Sequence, residues 1–184
     1  GWKAYGYEVS SQAVDFAKNK LGLNGISCGR VEESGFDKGS FDVITLWDVL
    51  EHVNDLEAVI RESARVLGDG GLYLFDTINR TEVARQANIF AAQQFPLTSF
   101  FPPDTHVWEK FITPEELSAL LAKHGLGVRE MTGLCAGLPD GQVAWLLLQR
   151  KLGLLTFAEL GRRLQFHTGG SLDSNYLGWA VKQG

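Results

Sequence analysis

The chain has 184 residues, 17 of them basic and 22 acidic, with a net charge of −5. A 45% hydrophobic and 21% charged composition is that of one ordinary globular domain and excludes a disordered or collagen-like chain. The acidic balance argues against a nucleic-acid binder, which carries a broad basic face.

Cys28 and Cys135 have neither metal-ligand nor redox-motif spacing. A reduced, cytoplasmic setting without a disulfide is therefore expected. No run of about 18 apolar residues suggests a membrane-spanning helix.

In chain order, Ala4–Glu8 reads as a short strand. Ser10 then caps a helix carrying Val14, Phe16, Ala17 and Leu21 at helical spacing. Ile26–Cys28 reads as a second strand and residues 35–40 as a loop. Phe41–Leu46 is nearly continuously apolar and β-branched, as expected of a strand buried on both faces. A helix follows from about Asn54 to Leu67, then a turn at Gly68–Gly71 and a buried strand at Leu72–Ile78. Thr81–Gln94 reads as an Ala-rich helix and Phe95–Trp108 as an irregular aromatic insertion. Thr113-Pro114-Glu115-Glu116 is a capping box with proline at the first helical position, and Gly125 stops that helix. Val128–Thr132 is a strand, Gln142–Phe166 is helical, and Asn175–Lys182 is the last strand. Strands alternating with helices through short loops predict an α/β fold with a largely parallel sheet.

Three constellations carry possible chemistry. Glu8 ends the first strand, where open parallel sheets bind ligands, and a carboxylate there can accept both hydroxyls of a ribose; a solvated loop glutamate is the plainer reading. Asp48, Glu51 and His52 follow the most apolar strand. If a helical turn starts at Asp48 they lie at i, i+3 and i+4 on one face. Two carboxylates and an imidazole there hold a divalent cation or accept a proton, or else only fix the loop. Thr105-His106 sits in the aromatic insertion, near Lys110 and Phe111, where a histidine can take a proton near neutral pH or simply face solvent.

The chain resembles the class I S-adenosylmethionine-dependent methyltransferases. The resemblance lies in Gly6-Tyr7-Glu8-Val9-Ser10, Phe41-Asp42-Val43-Ile44, Leu50-Glu51-His52-Val53, and Arg65-Val66-Leu67 running into Gly70-Gly71. Within them it is most similar to the ubiquinone-biosynthesis O-methyltransferases, through Thr77-Ile78-Asn79-Arg80, Thr105-His106 followed by Lys110–Pro114 and Glu116-Leu117, Thr132-Gly133-Leu134, and Asp173 with Asn175-Tyr176.

The resemblance implies a single Rossmann-like domain over 1–184. Its seven-stranded sheet has helices on both faces and an antiparallel last strand, with lid insertions at 81–112 and 138–170. It implies that Glu8 and Val9, Arg30 and Val31, and Trp47 contact the methyl donor. It also implies a metal triplet of Asp48, Glu51 and His52 for Mg²⁺, with aspartate where the family has glutamate. Arg30 departs from the acidic residue usual in the adenine loop. The glycine-rich donor loop and first, central strand of such sheets have no counterpart after Gly1. Gly1 accordingly reads as a truncation point, with the first visible strand and Phe41–Leu46 flanking the missing strand.

The expected reaction is methylation of a phenolic or catecholic hydroxyl on a polyprenyl quinone precursor, with His52 or His106 accepting the proton, or with Mg²⁺ lowering the phenol's pKa. Another small metabolite as acceptor, a noncatalytic interaction protein and a nicotinamide dehydrogenase are the alternatives; the last fits Glu51-His52 poorly. In the second insertion Trp145, Leu148, Leu152, Leu154, Leu155 and Phe157 alternate with Arg150, Lys151, Arg162 and Arg163. Such a segment can lie on a membrane surface. The plainer reading is a lid packed on the sheet, or a surface joining two copies.

Overall fold

The structure, a computed structural model, describes residues 1–184. Its fold is α/β, a mixed sheet with helices on both faces. β1 (Gly6–Glu8) leads through α1 (Ser11–Leu21) to β2 (Ile26–Cys28), and the two strands pair in parallel. The Ser10 side chain caps α1 by accepting the Ala13 N–H, and Gly22 closes it at φ 69°, a left-handed conformation that glycine adopts without strain. β3 (Phe41–Leu46) is followed by α2 (Leu56–Val66), capped by Asp55, and by β4 (Leu67–Ile78), parallel to β3. The expected turn at 68–71 is the excursion between the pairs Phe41–Leu67 and Val43–Leu72, with Gly70 at φ 77°.

α3 (Glu82–Ala84) runs directly into a π-helical segment, Arg85–Gln94. The Ala-rich stretch is thus helical as expected, but its later part is wound more widely than an α-helix. α4 (Pro114–Lys123) carries the capping box of Thr113 and Glu116, with Gly125 at φ 75° beyond it. β5 (Leu126–Cys135) is longer than the sequence pattern indicates. The single helix expected over Gln142–Phe166 is two: α5 (Asp140–Lys151) and α6 (Phe157–Leu164). Gly153 at φ 74° breaks the run, and Thr156 with Glu159 forms a second capping box that restarts it. β6 (His167–Thr168) and β7 (Asn175–Lys182) complete the sheet, in the order β3-β4-β7-β5-β6. β7 is antiparallel to both β4 and β5, as expected of the last strand.

Strand alternation sends Tyr73 and Phe75 of β4 and Tyr176 and Ala180 of β7 to one face, where all four are fully buried. Val59, Ile60 and Ala64 of α2 and Leu117 and Leu121 of α4 close over them as one core. The opposite face is thinner, with Leu72 and Trp179 each more than a third exposed.

The sheet is divided, with β1–β2 separate from the five-stranded part, and the division falls between the first strand and Phe41–Leu46, where a gap is expected. One expectation about the sheet needs correction. Phe41–Leu46 is not buried on both faces, and only Leu46 is fully enclosed. The reason is that β4 is the sole ladder partner of β3; its other side faces a cleft of about 850 Å³ that includes Tyr5, Phe36, Phe41 and Val43. Four aromatic rings bridge the two sheets, with Phe36 edge-on to Phe41 at 4.8 Å, to Tyr5 at 5.6 Å and to Tyr7 of β1 at 5.6 Å.

Candidate functional site

The chain leaves β3 through Trp47, half exposed, and Asp48, whose φ is 56°. A non-glycine residue there carries about 1–3 kcal/mol of strain, although aspartate tolerates it better than most. The Asp48 N–H is held by Asp76 Oδ1 of β4 at 2.6 Å. The expected helical turn from Asp48 therefore does not form. A tight turn takes its place, in which the His52 N–H donates to the Val49 carbonyl at 3.0 Å. The turn still gathers the side chains, leaving His52 Nε2 3.7 Å from Asp48 Oδ1.

Glu51 points inward, 3% exposed, and accepts the Thr77 hydroxyl at 3.2 Å. Burial pushes its pKa up to about 7, and the carboxylates of Asp48 and Asp76 push the same way. Burial likewise holds Asp76 above the usual carboxylate range. His52 is the partner that holds the Asp48 carboxyl down, and Asp48 in turn raises His52.

The aromatic insertion delivers His106 to the same place. Its ring stacks on His52, centroids 5.2 Å apart and planes at 30°, and lies edge-on to Phe101 at 5.2 Å. It is buried, and its Nδ1 has no partner. Burial, then the charge of His52, lowers its pKa. The two imidazoles are thus driven apart, His52 toward the cation and His106 toward the neutral base.

The structure brings Asp48, Glu51, His52 and His106 together, with one donor atom from each within 4.8 Å of all the others. Ligand atoms about 2.0–2.2 Å from a divalent ion stand up to roughly twice that distance apart, so small side-chain movements would close the group around one. The buried Glu51 carboxylate, with that of Asp48 beside it, also favours a cation. The residues fit a divalent metal, and they equally fit a proton-accepting pair beside carboxylates.

Of the residues expected to meet the donor, Trp47 adjoins this group at the end of β3, and the others lie beyond the ends of β1 and β2. Glu8 terminates β1, and its carboxylate accepts the Ser10 N–H at 2.7 Å; Val9 beside it is largely exposed. Arg30 is exposed ahead of a short 3₁₀ turn, while Val31 packs on the main core. No hydrogen bond or ion pair joins Glu8 or Arg30 to the Asp48–His106 group.

Sequence reasoning missed Asp76, Thr77 and Gln93 as parts of this site. Asp76 and Thr77 end a strand whose neighbour carries the site, a signal visible only once the pairing of Leu46 with Phe75 is known. Gln93 accepts the His106 N–H and donates to its carbonyl, a long-range contact with no sequence signature.

A family model described as "Methyltransferase domain" matches residues 1–131, well over half of the chain. A ubiquinone biosynthesis O-methyltransferase of Neisseria meningitidis serogroup A is 33% identical over 135 residues, 70% of this chain and 56% of that protein. The mitochondrial protein of that name from Homo sapiens is 35% identical over 106 residues, 58% of this chain and 28% of its own length. The chain thus spans about half or less of the length of these relatives. Among solved structures, a possible histamine N-methyltransferase from Thermotoga maritima superposes with a TM-score of 0.61 at 17% identity, over 97% of this chain and 72% of that one. A geranyl diphosphate methyltransferase solved with S-adenosylmethionine gives 0.61 at 17% identity, over 98% and 68%. At such identities the last two show likeness of fold.

Proposed function

The chain belongs to the methyltransferase-domain family, and from that membership we propose that it transfers a methyl group from S-adenosylmethionine to a phenolic or catecholic hydroxyl of a polyprenyl quinone precursor. The observation that carries this reading is His106: a buried imidazole with an unpartnered nitrogen, stacked on His52 beside Asp48 and Glu51. This group lies just beyond the carboxyl end of β3, where parallel sheets place their ligands. The relatives' names support the acceptor class.

S-adenosylmethionine supplies an already activated sulfonium methyl. The protein's task is then alignment and proton removal, and alignment alone contributes up to about 7–11 kcal/mol in favourable cases. Glu8 accepts the ribose hydroxyls, and Val9, Arg30, Val31 and Trp47 border the donor. His106, held neutral by burial, takes the proton of the acceptor hydroxyl as its oxygen attacks the methyl carbon and the carbon–sulfur bond breaks. His52, charged by Asp48, faces the developing phenolate. In the alternative state, with His52 neutral and the carboxylates ionised, Asp48, Glu51 and His52 would hold a divalent ion such as Mg²⁺, which when bound lowers the pKa of a coordinated phenol.

The segments 81–112 and 138–170 act as lids over this site. On the second, Trp145, Leu152, Leu154, Phe157 and Phe166 are all more than half exposed. Lys151, Arg162 and Arg163 stand exposed among them. No helix is long and apolar enough to cross a membrane. A basic, aromatic surface of this kind suits a peripheral contact with anionic lipid, where a polyprenyl acceptor resides.

Calorimetric titration with S-adenosylmethionine, followed by transfer assays on a catechol acceptor, tests the reading. The expected result is donor binding, with His106→Ala lowering kcat about 10²–10⁴-fold while donor affinity holds. Unchanged turnover in that variant would remove His106 from the reaction; failure to bind the donor would remove the reaction itself.

A further inference from the structure

No hydrogen bond restrains the His106 imidazole. Its Nδ1 is buried without a partner, and the ring is gripped by Phe101, Phe111 and His52. Where the ring sits therefore depends on where the backbone of residue 106 sits. That backbone belongs to no strand or helix. Both of its polar groups are satisfied by a single side chain. Gln93 Oε1 accepts the His106 N–H at 2.5 Å, and Gln93 Nε2 donates to the His106 carbonyl at 3.1 Å. A side-chain amide thus does what an adjacent strand does in a sheet, in a place where buried backbone groups need partners.

The π-helical segment sets Gln93 in turn. The Phe95 N–H closes its last wide turn on the Phe90 carbonyl at 2.7 Å. The Ala92 carbonyl accepts both the Phe100 and Phe101 N–H groups, at 2.9 and 3.1 Å. The Ala91 carbonyl accepts the Thr98 hydroxyl at 2.6 Å. The helix end and the loop after it are therefore one hydrogen-bonded body, and Gln93 ties it to His106. Successive α-helical residues advance about 100° around the axis, and a π turn takes more residues. Regular α winding would swing Gln93 away from residue 106.

We propose that Gln93 is a positioning residue, which fixes the His106 imidazole against His52 and within reach of Asp48 and Glu51. The proposal rests on the reading of His106 as the proton acceptor of methyl transfer.

The test compares the unaltered chain with Gln93→Met, which removes both hydrogen bonds at similar volume, and Gln93→Glu, which keeps the acceptor for the His106 N–H. The first readout needs no turnover: the nuclear Overhauser contact between the His52 and His106 rings, with the Tyr73–Phe75 contact as a control for folding. The second is the division of any loss between kcat and KM. Gln93→Met is expected to weaken the ring-to-ring contact, leave the Tyr73–Phe75 contact intact, and lower kcat about tenfold to a hundredfold with donor affinity unchanged. Gln93→Glu is expected to fall between. An intact ring-to-ring contact in Gln93→Met overturns the proposal. A lost contact with unchanged kcat upholds the positioning role and instead overturns His106 as the base. Should Gln93→Met also lose the Tyr73–Phe75 contact, Gln93→Glu decides: a ring contact equal to that of the unaltered chain overturns the proposal, and a weakened one supports it.

Discussion

His52 and His106 stack face to face, ring centroids 5.2 Å apart, yet their protonation preferences are opposed. Asp48 raises His52, while burial and the His52 charge lower His106. The pair therefore prefers one proton to two, with the cation on His52. In an NMR pH titration His106 should ionise below the ordinary imidazole range. His52→Ala should move it upward, because the variant removes a facing charge and admits water. With it, the acid limb of the kcat profile should move to higher pH. A His106 midpoint indifferent to His52 would show that the two rings are not coupled.

Glu51 gives a second pH dependence, of definite sign. Its pKa rises from the ordinary 4.5 to about 7 on folding, chiefly through burial. The folded state therefore prefers the protonated form. The corresponding stability is fully present below the unfolded pKa and is lost as pH rises through about 7. The full loss is on the order of 3 kcal/mol. Urea unfolding with chelator present should show the unaltered chain falling in stability between pH 5 and pH 8. Glu51→Gln, which keeps a neutral acceptor for the Thr77 hydroxyl, should be much flatter. Parallel profiles for the two proteins would contradict this account.

The elements legible in the sequence were those with local signatures. Ser10 and Thr113 announce their helices through capping chemistry, and Gly22 and Gly125 end them through left-handed backbone. Asp48, Glu51 and His52 were legible as a group because they are adjacent in the chain, although the backbone that gathers them is a strained turn and not the helix expected. What was illegible depends on pairing at a distance. The exposure of β3 follows from having one ladder partner, which its apolar composition does not reveal. The split between α5 and α6 was readable at Thr156 and Glu159, but the surrounding leucines obscured it. The roles of Asp76 and Gln93 arise only when residues 28 and 13 positions away are folded against them.

Asp76 tests whether the strained turn is held from outside. Its Oδ1 accepts the Asp48 N–H at 2.6 Å, which fixes the one non-glycine residue in this turn that has positive φ. Asp76→Ala leaves that exposed N–H to water and should cost about 0.5–1.5 kcal/mol. Asp76→Asn keeps an acceptor oxygen and removes a charge that burial and Asp48 both disfavour, so it should cost less. Chemical denaturation of the two variants measures the difference. Equal losses would mean that the charge of Asp76, and not its hydrogen bond, matters to the turn.

The pair α5 and α6 makes the last prediction. Leu146, Leu155, Leu160 and Leu164 bury against one another, so α5 and α6 have a small core of their own. What they leave outside is Trp145 with Leu152, Leu154 and Phe157, beside Lys151, Arg162 and Arg163. The whole chain carries a net charge of −5, so attraction to an anionic surface must come from this local basic cluster. Co-sedimentation with vesicles containing anionic lipid should therefore exceed that with neutral vesicles, and should weaken as salt screens the charges. Trp145→Ala removes an exposed side chain and spares the buried leucines, so it should reduce binding without loosening α5 from α6. Arg162→Gln with Arg163→Gln should abolish the preference for anionic lipid while leaving residual apolar binding. Equal sedimentation with both vesicle types would assign this surface to packing against protein, and a mass that doubles with concentration in solution would identify that protein as a second copy of the chain.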